Sequence, residues 1–166
     1  MKATRTIVIA VSAGTLFAAP ATAAWADTQT SPQTSPQTST GAASWGPKYA
    51  PGKKAVAQGA LHATNLNKST IPSTATVHVT GRITDRTSGS GCGWAVFRIT
   101  YRKADGNLPF KHRSFLDCSK GSPRAFAFTD RNVAHVELKV CSEGKAKAPS
   151  NVCLYAGTWK SLYSTL

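Results

Sequence analysis

The sequence is short of acidic residues and has no long apolar run. Only 7 of its 166 residues are Asp or Glu, against 20 Lys and Arg, which gives a formal net charge of +13. This balance excludes an acidic disordered chain. Charged residues make up only 16% of the chain, so its basic character comes from a shortage of acids. After the first 26 residues, no segment reaches the roughly 20 consecutive apolar residues that a membrane span needs, which excludes a multi-span membrane protein.

Common catalytic and metal-binding motifs are also missing. No G-x-S-x-G turn occurs, and the Gly-rich segment 88–93 is not followed by a helix with a Lys-Ser/Thr pair. No two cysteines form a C-x2-C pair of the kind that binds zinc. Asp85, Asp105 and Asp130 lie in predicted turns, where Asp usually bonds the backbone. We therefore predict that the protein is not an enzyme and uses neither a cofactor nor a metal.

Residues 1–26 have the organisation of a secretory signal peptide. Lys2 and Arg5 precede an uncharged apolar stretch at 7–19, and small residues then allow cleavage after Ala23 or Ala26. The stretch is shorter than the roughly 20 residues that would retain it as a membrane anchor. We predict a secreted, extracellular protein without a membrane span. Cleavage removes two positive charges, so the formal charge of +13 falls to +11 in the mature chain.

Four cysteines in an exported chain predict structural disulfides. Four cysteines allow three connectivities. We favour sequential pairing, Cys92–Cys118 and Cys141–Cys153, because the second bond closes a hairpin and the first joins neighbouring predicted strands. By loop entropy these bonds are worth roughly 3.5 and 3 kcal/mol respectively.

Residues 27–52 differ in composition from the rest of the mature chain. They begin with repeats of T-S-P-Q that offer nothing to bury, which predicts a flexible, disordered tail. Its last part, residues 45–52, contains Trp45, Lys48 and Tyr49 among turn-forming residues, and is a candidate docking peptide for a partner's groove. Alternatively, Trp45 and Tyr49 fold back and cover the edge of the domain that follows.

Residues 53–166 carry short alternating runs typical of β-strands. Clear examples are 76–84 and 94–102, and weaker or shorter runs are found at 55–63, 111–118, 124–129, 135–142 and 152–158. Turn-forming residues separate them, including 130–132. No window has a helical period. The pattern predicts an all-β, immunoglobulin-like antiparallel β-sandwich with two disulfides, and places a possible edge strand at 55–63.

All of the mature positive charge falls on this predicted domain. Arg98 and Arg102 lie on one face of a predicted strand and, together with Arg82, are candidates for one basic patch. A domain this basic is attracted to acidic proteins or to anionic cell-wall polymers, although charge alone also serves solubility. Specific nucleic-acid binding is not expected, because there is no helix to enter a groove and no RNP-like aromatic motif.

The signal peptide, the T-S-P-Q tail, the Trp45–Lys48–Tyr49 segment and the stapled basic β-domain together resemble the small secreted adaptor subunit of actinobacterial umbrella toxin particles. The likeness covers the layout of the whole mature chain and includes no diagnostic motif. It implies an adaptor that links a lectin-type subunit to a large repeat-containing toxin in interbacterial antagonism. Trp45, Lys48, Tyr49, Arg98 and Arg102 are then the candidate partner-binding residues.

Two other functions remain open at this point. The loop closed by Cys141 and Cys153 carries Lys145 and Lys147, which could enter the pocket of a trypsin-like protease. The motifs of subtilisin-inhibitor and tendamistat-type inhibitors are nevertheless absent. The third function is direct cell-wall binding or antimicrobial action through the cationic face.

Overall fold

The computed structural model describes residues 40–166, and these form seven strands and one short helix. The elements, in chain order, are β1 (Thr40–Tyr49), a 3-10 turn (Pro51–Lys53), β2 (Ala55–Asn67), β3 (Thr74–Asp85), β4 (Gly91–Tyr101), β5 (Phe110–Asp117), β6 (Arg124–Gly144), α1 (Asn151–Tyr155) and β7 (Lys160–Ser164). The predicted signal peptide and the T-S-P-Q repeats lie outside the described residues.

All strand pairs are antiparallel, in the order β1-β2-β3-β6-β4-β5, and β7 pairs with β6. The 21-residue β6 belongs to both halves of the sheet. Its first half pairs with β3 and its second half with β4. The inner faces of the two halves pack against each other, so the sheet forms two layers. The predicted antiparallel β-sandwich is confirmed.

Aromatic rings of both layers meet at the centre of the core. Phe97 of β4 is fully buried and contacts Trp45 of β1 and Phe126 of β6, at centroid distances of 6.0 and 5.5 Å. Phe115 of β5 stacks on Phe126 at 4.6 Å. The alternation predicted for β4 is correct, because Ala95, Phe97 and Ile99 all belong to this core.

The outer face of β4 is covered as well. Trp94 and Val96 form a second, smaller buried cluster with Cys153 of α1, and Trp159 packs against it. This cluster explains why both faces of β4 are apolar near its start, whereas a half-exposed strand would alternate.

Both predicted disulfides are present. Cys92 at the start of β4 is bonded to Cys118 just after β5, and Cys141 of β6 is bonded to Cys153 of α1. Disulfides of this kind are typical of proteins from oxidising compartments.

Three local predictions were wrong. The segment 55–63 is an interior strand, since β2 pairs with both β1 and β3. The predicted strand 152–158 is instead α1 and the segment after it. The start of α1 is marked by Ser150, whose Oγ accepts a hydrogen bond from the Cys153 N–H and caps the helix.

The third incorrect prediction is the turn at 130–132. β6 continues through it, and Asn132 adopts φ of 55° at an irregularity in the strand pairing. Asp130 there is buried rather than in an exposed turn, and its carboxylate is 2.5 Å from Lys111 Nζ and 2.8 Å from Arg113 Nε. Because β6 pairs with β3 before this point and with β4 after it, a turn-forming sequence became a bend within one strand.

Candidate functional site

Trp45, Lys48 and Tyr49 belong to the folded domain. Because β1 starts at Thr40, the domain boundary predicted at residue 53 is too late. Trp45 is only 8% exposed, and its indole stacks against Phe126. Gly59 of β2 makes room for this ring, since a Cβ there would lie 2.7 Å from Trp45 Cζ2. Trp45 is therefore a core residue and not an exposed anchor of a docking peptide.

Lys48 and Tyr49 remain accessible and line a groove at the open edge of the sandwich. The groove has a volume of about 640 Å³. One wall is the end of β1 and the residues just after it, 48–51, and the other is formed by residues 138–143 of β6 and by α1 with the segment that follows it. Val152 of α1 is 70% exposed on this wall, and Tyr49 is 45% exposed on the other. The groove thus presents a large apolar side chain to solvent on each of its two walls.

Lysines dominate the charge of the groove. Lys48, Lys54, Lys139 and Lys160 line it, and in the part of the chain that the structure describes Glu143 is the one acid that does so. The Glu143 carboxylate already accepts hydrogen bonds from Ser150, from the backbone N–H at 3.0 Å and from the hydroxyl at 2.5 Å. The site therefore presents an excess of positive charge to any ligand.

The edge of β6 beside the groove has free pairing capacity. β7 pairs with β6 only from His135 to Leu138, whereas β6 continues to Gly144. Within residues 40–166, no strand pairs with β6 beyond Leu138 on the side away from β4. Such an edge can accept an additional strand from another chain.

Lys139 connects the groove to an aromatic cluster. It is 8% exposed, and its Nζ donates a 2.5 Å hydrogen bond to the Ala156 carbonyl and lies 4.5 Å from the centroid of Trp159. Burial, with the nearby charge of Arg98, lowers the pKa of Lys139. This side chain holds the segment after α1 against β6, and so shapes one wall of the groove.

Arg98 lies in the same aromatic cluster but is neutralised. Its Nε donates to Glu137 at 2.7 Å, and its guanidinium lies 4.6 Å from the centroid of Trp159. The ring of His112 stacks on that of Trp159, with the two ring centroids 5.7 Å apart. Burial, followed by the charges of Arg98 and Lys139, lowers the pKa of His112.

The predicted joint patch of Arg98, Arg102 and Arg82 is not present. Arg102 follows β4, where its Nη1 donates to the Lys103 carbonyl at 3.4 Å. Arg82 is paired in register with Gln58 and lies on the outer face of the other layer. Side chains alternate between faces along a strand, so Arg82 and Arg98 lie on opposite outer faces of the sandwich.

Sequence reasoning missed Lys139, Lys160 and Trp159. Lys139 was assigned to an ordinary strand, Trp159 follows the predicted strand 152–158 and was given no role, and α1 was not recognised. The one local signal was the helix cap at Ser150. The groove itself brings residues 48–54 against residues 138–160, which follow more than 80 residues later in the chain, and no local sequence pattern predicts such a contact.

The chain matches no family model, no curated protein and no solved structure. Among residues 40–166, no helix is long and apolar enough to cross a membrane.

Proposed function

We propose that this protein is a secreted, non-enzymatic adaptor that binds an extended, acidic segment of a partner protein in the groove between β1 and α1. The observation that carries the proposal is the unbalanced lysine lining of a groove that borders an unpaired stretch of β6. An acidic segment is favoured because its charge complements that lining, which speeds encounter and excludes basic partners.

An extended conformation is favoured by the free edge of β6. A strand added there would satisfy main-chain donors and acceptors, and its alternate side chains would meet Tyr49 and Val152. Large apolar side chains of this kind commonly provide most of the binding energy of an interface. The groove is already formed in the folded chain, so little ordering cost falls on the adaptor itself.

The layout of the chain supports the more specific proposal that the partners are a lectin-type subunit and a large toxin. The predicted signal peptide, the T-S-P-Q repeats and the basic domain follow that arrangement. An adaptor needs a second contact besides the groove. The T-S-P-Q composition of residues 27–39 predicts a tether, and we propose that it carries this second contact.

A fluorescent peptide of alternating Val and Glu tests the chemistry of the groove. We expect K48Q/K160Q to weaken its binding to the mature protein roughly tenfold, because two lining cations are lost. The matched control is K145Q/K147Q, which removes the same charge from the loop beyond Glu143. Equal weakening by both variants would show that only net charge matters, and would reject the groove.

Site-specific cross-linking then tests the adaptor function. A photoreactive side chain at Val152 should capture a secreted protein in stoichiometric amount through an acidic segment, whereas the same group at Lys145 should not. Mass spectrometry identifies the cross-linked segment. Failure at Val152, or capture through a basic or neutral segment, contradicts the proposal.

One observation favours a second candidate, a protease inhibitor. The loop between Glu143 and Ser150 is held at its base by their two hydrogen bonds and by the bond between Cys141 and Cys153. A loop fixed in this way binds with a small loss of entropy. Titration of trypsin decides between the two functions: stoichiometric inhibition that K145Q/K147Q abolishes would identify the inhibitor, and the absence of inhibition would exclude it.

A further inference from the structure

A second cationic surface lies on the outer face of the layer that contains β2 and β3, away from the Arg98 cluster. Arg82, Arg86 and Lys120 line one cavity of about 490 Å³ there, together with Gln58 and Thr84. A neighbouring cavity of about 670 Å³ shares Gln58 and Arg82 and extends along β3 to Thr80. From Arg86 to Thr80 the strand rises roughly 20 Å, so the two cavities form an elongated groove, here called the β3 groove.

The cations of the β3 groove are not neutralised. The side chains of Arg82 and Lys120 make no ion pair or hydrogen bond to any residue within 40–166. Within the same residues, the guanidinium of Arg86 makes no ion pair or hydrogen bond and lies 6.0 Å from the centroid of the Tyr49 ring. Among the described residues, Asp85 is the one acid that lines the groove, and it is 1% exposed. Both of its carboxylate oxygens accept hydrogen bonds from Thr87, at 2.9 and 3.1 Å. Its carboxylate is therefore not available to the three cations.

The position of Lys120 is fixed by the fold. The Gly121 N–H donates to the Asp85 carbonyl at 2.9 Å, which holds the connection between β5 and β6 against the end of β3. Asp117 accepts from the Asp85 N–H at 2.9 Å, and Cys118 is bonded to Cys92. The loop that carries Lys120 is thus attached to the end of β3, which fixes the backbone position of Lys120 and limits the ordering cost of binding to its side chain.

The β3 groove lacks the anchors of a protein interface. No exposed large apolar side chain lines either of its cavities among the described residues, since the one aromatic residue there, Trp45, is buried. Protein hot spots depend on such anchors, and single-stranded nucleic acid depends on aromatic rings that stack with its bases. The polar part of the lining consists of guanidinium and ammonium groups beside Gln58, Thr80 and Thr84, and its apolar part is limited to small or half-buried side chains such as Val56, Pro123 and Ala125. Guanidinium groups bind phosphate through paired hydrogen bonds.

We propose that the β3 groove binds a linear phosphodiester polymer of the cell wall, of the poly(glycerol phosphate) type. Successive phosphates would contact Lys120, Arg86 and Arg82, and the polyol hydroxyls would bond Gln58 and Thr80. A polymer without bases matches a surface without stacking rings. The site is distinct from the lysine groove, the groove lined by Lys48, Lys54, Lys139 and Lys160, because no residue lines both. The two grooves adjoin where the Arg86 guanidinium lies over the ring of Tyr49.

The test measures binding of the mature protein to purified poly(glycerol phosphate) over a range of salt concentrations. We expect affinity to fall with salt, and R82Q/K120Q to reduce affinity roughly tenfold and to lower the slope of log K against log salt by about one to two. Both residues are exposed and without side-chain partners, so the variant should keep the melting temperature of the wild type. That measurement separates lost binding from lost folding.

Matched controls distinguish this site from general charge attraction. K145Q/K147Q removes the same two charges from the hairpin loop and should change affinity less than twofold. K48Q/K160Q should likewise leave polymer binding unchanged, whereas R82Q/K120Q should leave the acidic peptide bound in the lysine groove. The two sites can therefore fail independently.

Three results would overturn the proposal. One is equal loss of affinity in R82Q/K120Q and K145Q/K147Q, which would mean that only net charge matters. Another is tighter binding of single-stranded DNA with the same number of phosphates, which would identify a nucleic-acid surface. The last is equal or tighter binding of polyglutamate of the same charge, which would identify an acidic protein as the ligand.

Discussion

Replacement of Trp45 by alanine provides the sharpest test of where the folded domain begins. Trp45 is 8% exposed and contacts Phe97 and Phe126 at 6.0 and 6.3 Å. Truncation of a buried Phe or Trp to Ala costs about 3–5 kcal/mol, and two ring contacts place this position in the upper part of that range. The buried Trp45 Nε1 has no hydrogen-bond partner within the described part of the chain. Removal of that unpaired N–H returns about 1–2 of the roughly 4–5 kcal/mol, so the expected net loss is about 2–4 kcal/mol.

Urea denaturation of the mature protein, followed by far-ultraviolet circular dichroism, measures this loss. Trp45→Phe should lose less than about 1.5 kcal/mol, because it keeps an aromatic ring and removes the unpaired N–H. Tyr49→Ala, four residues away and half exposed, is the control and should cost less than about 1 kcal/mol.

The same reasoning predicts the effect of truncation. A chain that begins at Thr40 should keep the unfolding free energy of the mature protein, whereas one that begins at Lys53 lacks β1 and should not fold cooperatively. If Trp45→Ala cost less than 1 kcal/mol, or the chain from Lys53 were as stable as the whole, the docking-peptide interpretation of residues 45–52 would hold instead.

Two further predictions concern β6. Burial by itself raises the pKa of Asp130, but the hydrogen bonds and charges of its two cationic partners outweigh burial and hold the pKa below its usual range. The carboxylate therefore contributes stability above about pH 4 that is lost as the pH falls through the lowered pKa of the folded state. Asp130→Asn should lower the free energy of unfolding by about 1–3 kcal/mol at pH 7 and make its fall with decreasing pH less steep. The free energy of unfolding is measured from pH 7 to pH 2 for both proteins, and parallel curves would contradict this prediction. Replacement of Cys141 and Cys153 by serine opens a loop with a sequence separation of 12 and should lower the unfolding free energy by about 3 kcal/mol. Because Cys153 is part of the groove wall, this variant should also bind the acidic peptide more weakly. If the urea midpoint and the peptide affinity were both unchanged, the disulfide would be dispensable.

Much of the sandwich was predictable because its strands are encoded locally. In β3 and in the second half of β4, from Phe97 onwards, apolar and polar residues alternate with the two-residue period of a strand, and the inward residues Val77, Val79, Ile83, Phe97 and Ile99 belong to the core. The disulfide pairing followed from the same strand order. By contrast, α1 is only five residues long, which is too short to produce a helical period.

The candidate site was predictable only in part. Lys48 and Tyr49 were singled out and do line a groove, but Trp45 beside them is buried, because it alone of the three faces Phe97. Arg98 was expected to be available to a partner, yet the strand pairing sets Glu137 opposite it. The identity of a cross-strand neighbour depends on register, and register depends on long-range packing.

The amino-acid sequence by itself determined the fold class, the two disulfides and the strongly basic character of the domain, because alternation, cysteine count and charge are properties of the chain. Only the tertiary structure decided what the basic residues do. It paired Arg98 with Glu137, buried Lys139, and left Arg82, Arg86 and Lys120 on the opposite face with no acidic partner among residues 40–166. The physical reason is that a charge acts according to its distance from other charges and its exposure to water, and both are set by contacts between strands far apart in the sequence.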